Sequence, residues 1–246
     1  MMTITNQESG TNVQEIAAGI YRISTPVPPS HMPGGFTFNQ FLVVDDAPLL
    51  YHTGSRRLFP LVLEAVRHVL SDVARLRYVS FSHFEADECG ALNDWLRAAP
   101  DARAVCGSMA AMLSIEDTAE RPPLVLSEDS ELALGHKRVR WIDTPHLPHN
   151  WECGHLVELS TRTLFCGDVL TRFGADGPAL TEADPIGPAE ALRRAMPGSF
   201  VLGAHTRPAL EKLAATEPTT LALMHGSSYR GDGARVLRDL ADVLGV

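Results

Sequence analysis

The sequence predicts an α/β fold in which helices cover the faces of mixed β-sheets, and three observations carry that prediction. Short apolar runs with strand character alternate with segments of helical periodicity along the chain. Two pairs of runs, within 41–52 and 156–166, lie close enough to form hairpins, so antiparallel neighbours accompany the parallel ones. No internal repeat and no linker rich in Pro, Gly or Ser divides the chain, and 246 residues suit one domain over 1–246.

The elements follow in order. A first strand is expected at Gly19–Ser24, and the Pro/Gly cluster Pro26–Gly35 after it reads as a surface loop of the kind that overhangs a site. Strands follow at Phe41–Val44 and Pro48–His52, then a helix at Leu58–Leu70, a strand at Tyr78–Phe81 and a helix at Asp87–Ala98. The strand Arg103–Cys106 precedes a helix at Ser108–Ile115. Three strands come next, at Val139–Asp143, Leu156–Leu159 and Thr163–Cys166. Helices at Pro188–Met196 and Thr206–Ala215, a strand at Thr220–Met224 and a helix at Gly233–Leu244 complete the chain. Every strand is short and bounded by turn residues.

Composition narrows the function classes. With 21 basic and 30 acidic side chains the formal net charge is −9, and no Lys/Arg run supplies the basic footprint that nucleic acid or an anionic membrane would require. No apolar stretch is long enough to span a bilayer, and the polar amino terminus lacks a secretory pattern, so the cytoplasm is the default address. Cys89, Cys106, Cys153 and Cys166 are too few for a disulfide scaffold and are expected as free thiols.

Chemistry concentrates after the strands. Ser82-His83-Phe84-Glu85-Ala86-Asp87-Glu88 follows one of them. If the chain stays extended through Glu85, then His83, Glu85 and Asp87 share a side, and one imidazole with two carboxylates invites a cation between them. The same segment also reads as a solvated helix start, with Asp87 as N-cap and Glu88 favoured by the helix dipole. In Asp143-Thr144-Pro145-His146-Leu147-Pro148-His149, two prolines stiffen a loop that presents two histidines. Gly167-Asp168 and Met224-His225-Gly226 each place one ligand type after a strand. Together the four sites supply the three histidines and three carboxylates of a dinuclear metal centre with an anionic bridge.

The order His83-x-Glu85-x-Asp87, His149, Gly167-Asp168 and His225-Gly226 resembles the diiron branch of the metallo-β-lactamase fold, that is, flavodiiron proteins and smaller oxygen-binding diiron proteins. The resemblance runs from about Ile16 to Gly245 and implies an αβ/βα sandwich of two mixed sheets flanked by helices. Zinc hydrolases of this fold show His-x-His-x-Asp-His; here Glu85 replaces the second histidine and Glu88 the last. Carried over, the resemblance puts His83, Glu85 and His149 on one metal, Asp87 and His225 on the other, and Asp168 between them. The family's spacing to Asp168 selects His149, and His146 becomes a neighbour of the site, with Glu88 and Tyr229 as further neighbours.

The oxygen-rich ligand set favours iron over zinc or manganese. Two ferrous ions can bind dioxygen or peroxide and give it electrons. Full flavodiiron proteins continue into a flavodoxin-like domain, whereas this chain ends at Val246, so the expectation is a stand-alone diiron protein that binds no flavin and takes electrons from a separate donor protein. The flavodiiron head-to-tail dimer has its reason in that flavin, which leaves the oligomeric state open. Two other readings are a zinc-dependent hydrolase of lactones or thioesters, which Glu85 opposes by weakening the first metal's Lewis acidity, and a non-enzymatic oxygen sensor. Tyr51, Tyr229, Cys153 and Cys166 read as packed core residues near these motifs.

Overall fold

Turn-bounded apolar runs assemble into two mixed sheets in the computed structural model, which describes residues 1–246. The first sheet has eight strands in chain order: β1 (Thr3–Ile4), β2 (Asn12–Ala17), β3 (Ile20–Val27), β4 (Phe36–Val43), β5 (Leu49–Tyr51), β6 (Tyr78–Ser80), β7 (Arg103–Gly107) and β8 (Leu124–Leu126). It is antiparallel as far as β5 and parallel from β5 to β8. A parallel neighbour requires a crossover. α1 (Phe59–Leu70) supplies the first; α2 (Ala86–Cys89) with α3 (Leu92–Ala98) supplies the second. The third is α4 (Ser108–Ala110), a π-helical turn at Ala111–Ile115 and α5 (Glu116–Thr118).

The second sheet has seven strands. β9 (Glu131–Ala133), β10 (Arg138–Asp143), β11 (Gly154–Glu158) and β12 (Thr163–Phe165) run antiparallel. β14 (Thr220–Ala222) then lies parallel to β12, followed by β15 (Ser228–Arg230) and β13 (Leu180–Thr181) at the edge. α6 (Ile186–Ala195), α7 (Thr206–Ala214) and α8 (Gly233–Leu244) cover its outer face.

Three apolar layers hold this arrangement together. Phe41, Leu49, Tyr51 and Val105 of the first sheet meet Val139, Trp141, Leu156 and Phe165 of the second between the sheets. Leu42, Leu50 and Val79 face the other way, onto Val62 and Val66 of α1 and Trp95 of α3. Val157, Leu164 and Leu221 face Leu210 and Leu213 of α7 and Leu237 and Leu240 of α8. Inner strands buried on both faces account for the continuous apolar runs of the sequence. Both expected hairpins form, as β4–β5 and β11–β12.

Where elements depart from expectation, tertiary hydrogen bonds explain it. The single helix expected at Asp87–Ala98 is divided at Gly90, because the Ala91 amide donates to Gly54 O and the Glu88 carbonyl accepts from the Thr53 amide. β4 begins five residues early, at Phe36 instead of Phe41, since its first half pairs with the extended end of β3. β2 escaped notice because its alternation is short and broken by a bulge between Glu15 and Ala17. β13 and β15 are too short to show periodicity. No helix is long and apolar enough to cross a membrane.

Candidate metal centre

Register places the first two functional side chains. Phe165 of β12 pairs with Ala222 of β14 in parallel, so Asp168 and His225, each three residues further on, leave the same sheet edge together. Asp168 Oδ1 lies 3.1 Å from His225 Nε2. The first sheet meets this edge through Ser82, whose carbonyl accepts from the Gly154 amide at 2.9 Å, and through Thr37, whose carbonyl accepts from His225 Nδ1 at 2.7 Å.

The segment after β6 does not stay extended. Residues 82–85 bend, Glu85 keeps extended angles at the start of α2, and Asp87 sits in that helix's first turn. His83, Glu85 and Asp87 still converge, through a bend and a helical turn rather than strand alternation. The solvated helix start is ruled out at Glu88, which is fully buried.

Two groups of donors result, each with its ligand atoms within 4.8 Å of one another: His83, Glu85, His149 and Asp168 in one, Asp87, Glu88 and His225 in the other. Asp168 reaches both. Its Oδ2 lies 3.8 Å from His149 Nε2 and 4.0 Å from His83 Nε2, opposite the Oδ1 that faces His225. His149 Nε2 is 3.1 Å from Glu85 Oε1 and 2.9 Å from His83 Nε2, and Asp87 Oδ2 is 3.4 Å from His225 Nε2.

The outer nitrogens fix how these rings face. His149 Nδ1 donates to Ser199 O and His225 Nδ1 to Thr37 O, which leaves each Nε2 turned inward. His83 Nδ1 contacts Ser82 Oγ at 2.8 Å, and that hydroxyl reaches Nε2 of buried His52 at 3.2 Å. Phe36 stacks on the His225 ring with centroids 4.2 Å apart, and Phe38 meets it edge-on. Glu152 Oε1 accepts from the Phe84 amide and ties the 83–85 bend to the 144–153 loop.

Electrostatics mark the cluster as built for positive charge. Burial opposes the protonation of His225, but Asp168 and Asp87 outweigh it and raise its pKa to about 10. Burial likewise opposes His149, and Glu85 and Asp168 still raise it. The His149 hydrogen bond, with His83 behind it, holds Glu85 at about 2. Asp168 is pushed up by burial and pulled well below the usual carboxylate range by His225 and the other two imidazoles. Glu88 behaves oppositely: burial first, then the charges of Asp168 and Asp87, raise its carboxyl well above the ordinary value. Both its oxygens are buried without a hydrogen-bond partner. Imidazole nitrogens 2.9 Å apart and four carboxyl groups, one of them buried and orphaned, form a donor set that fits cations.

The remaining expected neighbours fall elsewhere. His146 is exposed, at φ 63°, with its ring 5.2 Å from that of His205, and it does not join the cluster. Tyr229 is packed in the core beneath α7 and α8 with its hydroxyl toward Gly231, away from the centre. His155 is buried between Thr144 Oγ1 and Cys166 O, and burial lowers its pKa to about 4. Tyr51 is buried against His52 and Phe165. Cys153 Sγ donates to Leu147 O and Cys166 is fully buried; burial raises both thiols, and all four cysteines are free. Ser82, Glu152, Phe36 and Phe38 carry no signal in the sequence, because nothing in a lone serine, glutamate or phenylalanine marks contact with a ligand.

A cavity of about 710 Å³ opens onto the cluster, a size typical of small-molecule sites. Glu85, Asp87, His149, Asp168 and His225 form its floor, and Phe36, Phe38, Leu170, Leu192 and Phe200 line apolar walls. Met32, from the loop expected to overhang a site, lines it as well.

Two mixed sheets flanked by helices, with histidines and carboxylates gathered at one edge, are the metallo-β-lactamase-like αβ/βα sandwich of flavodiiron cores. The chain belongs to the family described as ODP family beta lactamase, which it matches over residues 36–200. It is 30% identical over 140 residues to diflavin flavoprotein A 2 from Synechocystis sp., an alignment covering 55% of this chain and 23% of that protein. Among solved structures, the metal-soaked flavodiiron core from Synechocystis sp. superposes with a TM-score of 0.82 at 21% identity, covering 96% of this chain and 61% of that one. The flavodiiron protein from Giardia intestinalis gives 0.79 at 20% identity, covering 94% and 58%. A 1–254 fragment of a diflavin flavoprotein from Nostoc sp. gives 0.80 at 17% identity and covers 94% of each chain. The chain therefore spans about a quarter of the curated relative and about three fifths of the first two solved relatives.

Proposed function

We propose that this protein is a non-haem diiron protein that binds dioxygen or peroxide and reduces it when a redox partner supplies electrons. The observation that carries the reading is the position of Asp168, whose two oxygens face two separate histidine–carboxylate groups. His83, Glu85 and His149 would hold one iron, Asp87 and His225 the other, with Asp168 shared and Glu88 a further oxygen donor on the second side. A pair of ferrous ions would supply two electrons to the bound ligand. Glu85 and Glu88 in place of histidines make the donor set hard, which supports iron over zinc. The flavodiiron relatives support the same metal and an oxidoreductase role.

The chain's own residues prepare the site. Ser199 O and Thr37 O orient His149 and His225 with Nε2 inward, and Ser82 does the same for His83. Phe36 and Phe38 shield His225 from water, and the apolar cavity wall suits a small uncharged ligand such as dioxygen. Protein produced with iron and zinc both available should contain close to two irons per chain. Near-stoichiometric zinc, with no redox response of an iron-loaded sample, would overturn the reading.

A further inference from the structure

Behind the loop that carries His225 lies a second pocket, of about 290 Å³, and its chemistry is the reverse of the metal centre's. Arg22 on β3 and Arg172 after β12 both line it, together with Thr37, Thr181 and Ser227, and no Asp or Glu does. Neither arginine forms an ion pair with any carboxylate; the nearby Asp176 is exposed and does not line the pocket. Arg22 is only 3% exposed. Its Nη2 donates to Gly226 O at 3.1 Å, while its Nε is buried with no partner. Arg172 Nη2 donates to Ser227 O at 3.1 Å, and its stem packs so closely on Gly226 that a Cβ there would fall 2.5 Å from its Cγ.

A guanidinium stays charged in proteins, and burying one without a counter-ion is costly. Here two share one pocket. Burial, with Arg172 beside it, lowers the Arg22 pKa to about 9. Two unpaired positive charges, an unused buried N–H donor and a pocket free of acids define a receptor for an anion.

We propose that this pocket binds a phosphate group, either free or on a small monoester, between Arg22 and Arg172. A phosphate carries about −1.5 to −2 charge at neutral pH and matches both guanidiniums, whereas a monocarboxylate would leave one uncompensated. Guanidinium forks suit its oxygens, and Ser227 and Thr181 line the rest of the pocket. The volume exceeds that of bare phosphate, leaving room for a small ester group. Because Arg22 also holds the carbonyl that follows His225, the bound group sits against the backbone of the metal centre without touching its ligands.

Calorimetric titration of the metal-loaded chain with inorganic phosphate, in phosphate- and sulfate-free buffer, tests the site. Binding at one phosphate per chain is expected, with acetate weaker by about tenfold or more. Arg172→Gln, at a half-buried position, should weaken phosphate by about tenfold or more, as should Arg22→Lys, while Arg56→Gln, at an exposed position, should leave it unchanged. Glycerol phosphate, run in parallel, separates the sources: tighter binding than inorganic phosphate assigns the spare volume to an ester. The proposal is overturned if millimolar phosphate gives no binding, or if Arg172→Gln binds it as the wild type does, which would place the anion at the metals instead.

Discussion

Asp168→Asn tests the bridging geometry most sharply, because that side chain alone is assigned to both metals. Its Oδ1 faces His225 Nε2 at 3.1 Å, and its Oδ2 faces His149 and His83 at 3.8 and 4.0 Å. Asparagine keeps the shape and one acceptor oxygen but loses the charge that both cations would share. Disturbing the surroundings of a metal ligand already costs 10–100-fold in affinity, so loss of a shared anionic ligand should weaken each metal by about 100-fold or more, about 2.7 kcal/mol apiece. Glu85→Gln touches only the first group and Asp87→Asn only the second, so each should remove one metal and spare the other. The assay is metal content per chain after dialysis against graded chelator, with thermal unfolding of the metal-free variants to separate binding from folding. If Asp168→Asn keeps two metals at wild-type chelator resistance, or loses one and holds the other unchanged, the bridging assignment is wrong.

His149→Ala should lose one metal, while His146→Ala should keep both, since His146 is exposed beside His205; equal losses in the two variants, measured by the same dialysis, would contradict the placement. Gly154→Ala should destabilise the fold, because a Cβ there would lie 2.2 Å from Cζ2 of fully buried Trp141, whose Nε1 is held by Asp143. Overpacking of this kind costs about 1–3 kcal/mol, and at about 2–4 °C per kcal/mol for a chain this size the melting temperature should fall by several degrees; an unchanged melting temperature would refute it. His155 is fully buried, with its pKa lowered from 6.5 to about 4, so as pH falls below 6.5 the unfolded chain takes up a proton before the folded one and stability drops. That loss reaches about 3 kcal/mol by pH 4, at about 1.4 kcal/mol per pH unit. In urea unfolding of metal-free protein between about pH 6.5 and 5, His155→Gln should lower the dependence of stability on pH by about one proton; an identical slope would contradict the assignment.

The candidate metal centre is legible in local patterns. His83-x-Glu85-x-Asp87, His149, Asp168 and His225 each follow a short apolar strand, and the parallel register of β12 with β14 turns two of those motifs into neighbours. The choice of His149 over His146 rested on spacing, and the structure turns His149, not His146, toward the cluster. What stayed hidden depends on contacts between distant segments. Glu88 looks like an ordinary residue in the first turn of a helix until Thr53 and Gly54 end that helix at Gly90 and bury it. Arg22 is one polar residue within an expected strand, and its burial comes from the 225–227 loop and the 172–174 segment, far away in sequence. Phe36 and Phe38 lie in the part of β4 that precedes the expected strand start at Phe41, directly after the Pro/Gly punctuation. Tyr229 was drawn toward the site by its closeness in sequence to His225, yet the turn at Gly226, with φ of 88°, sends it into the core on the far side.

Two irons at this cluster should meet dioxygen there. The most direct test is the ultraviolet–visible spectrum of anaerobically iron-loaded, reduced protein before and after exposure to dioxygen, recorded with the iron content of the same sample. Two irons per chain and a new absorption band that appears on exposure, absent in Asp168→Asn, are the predicted result. A spectrum that dioxygen leaves unchanged in a sample holding two irons would rule out dioxygen binding at this centre.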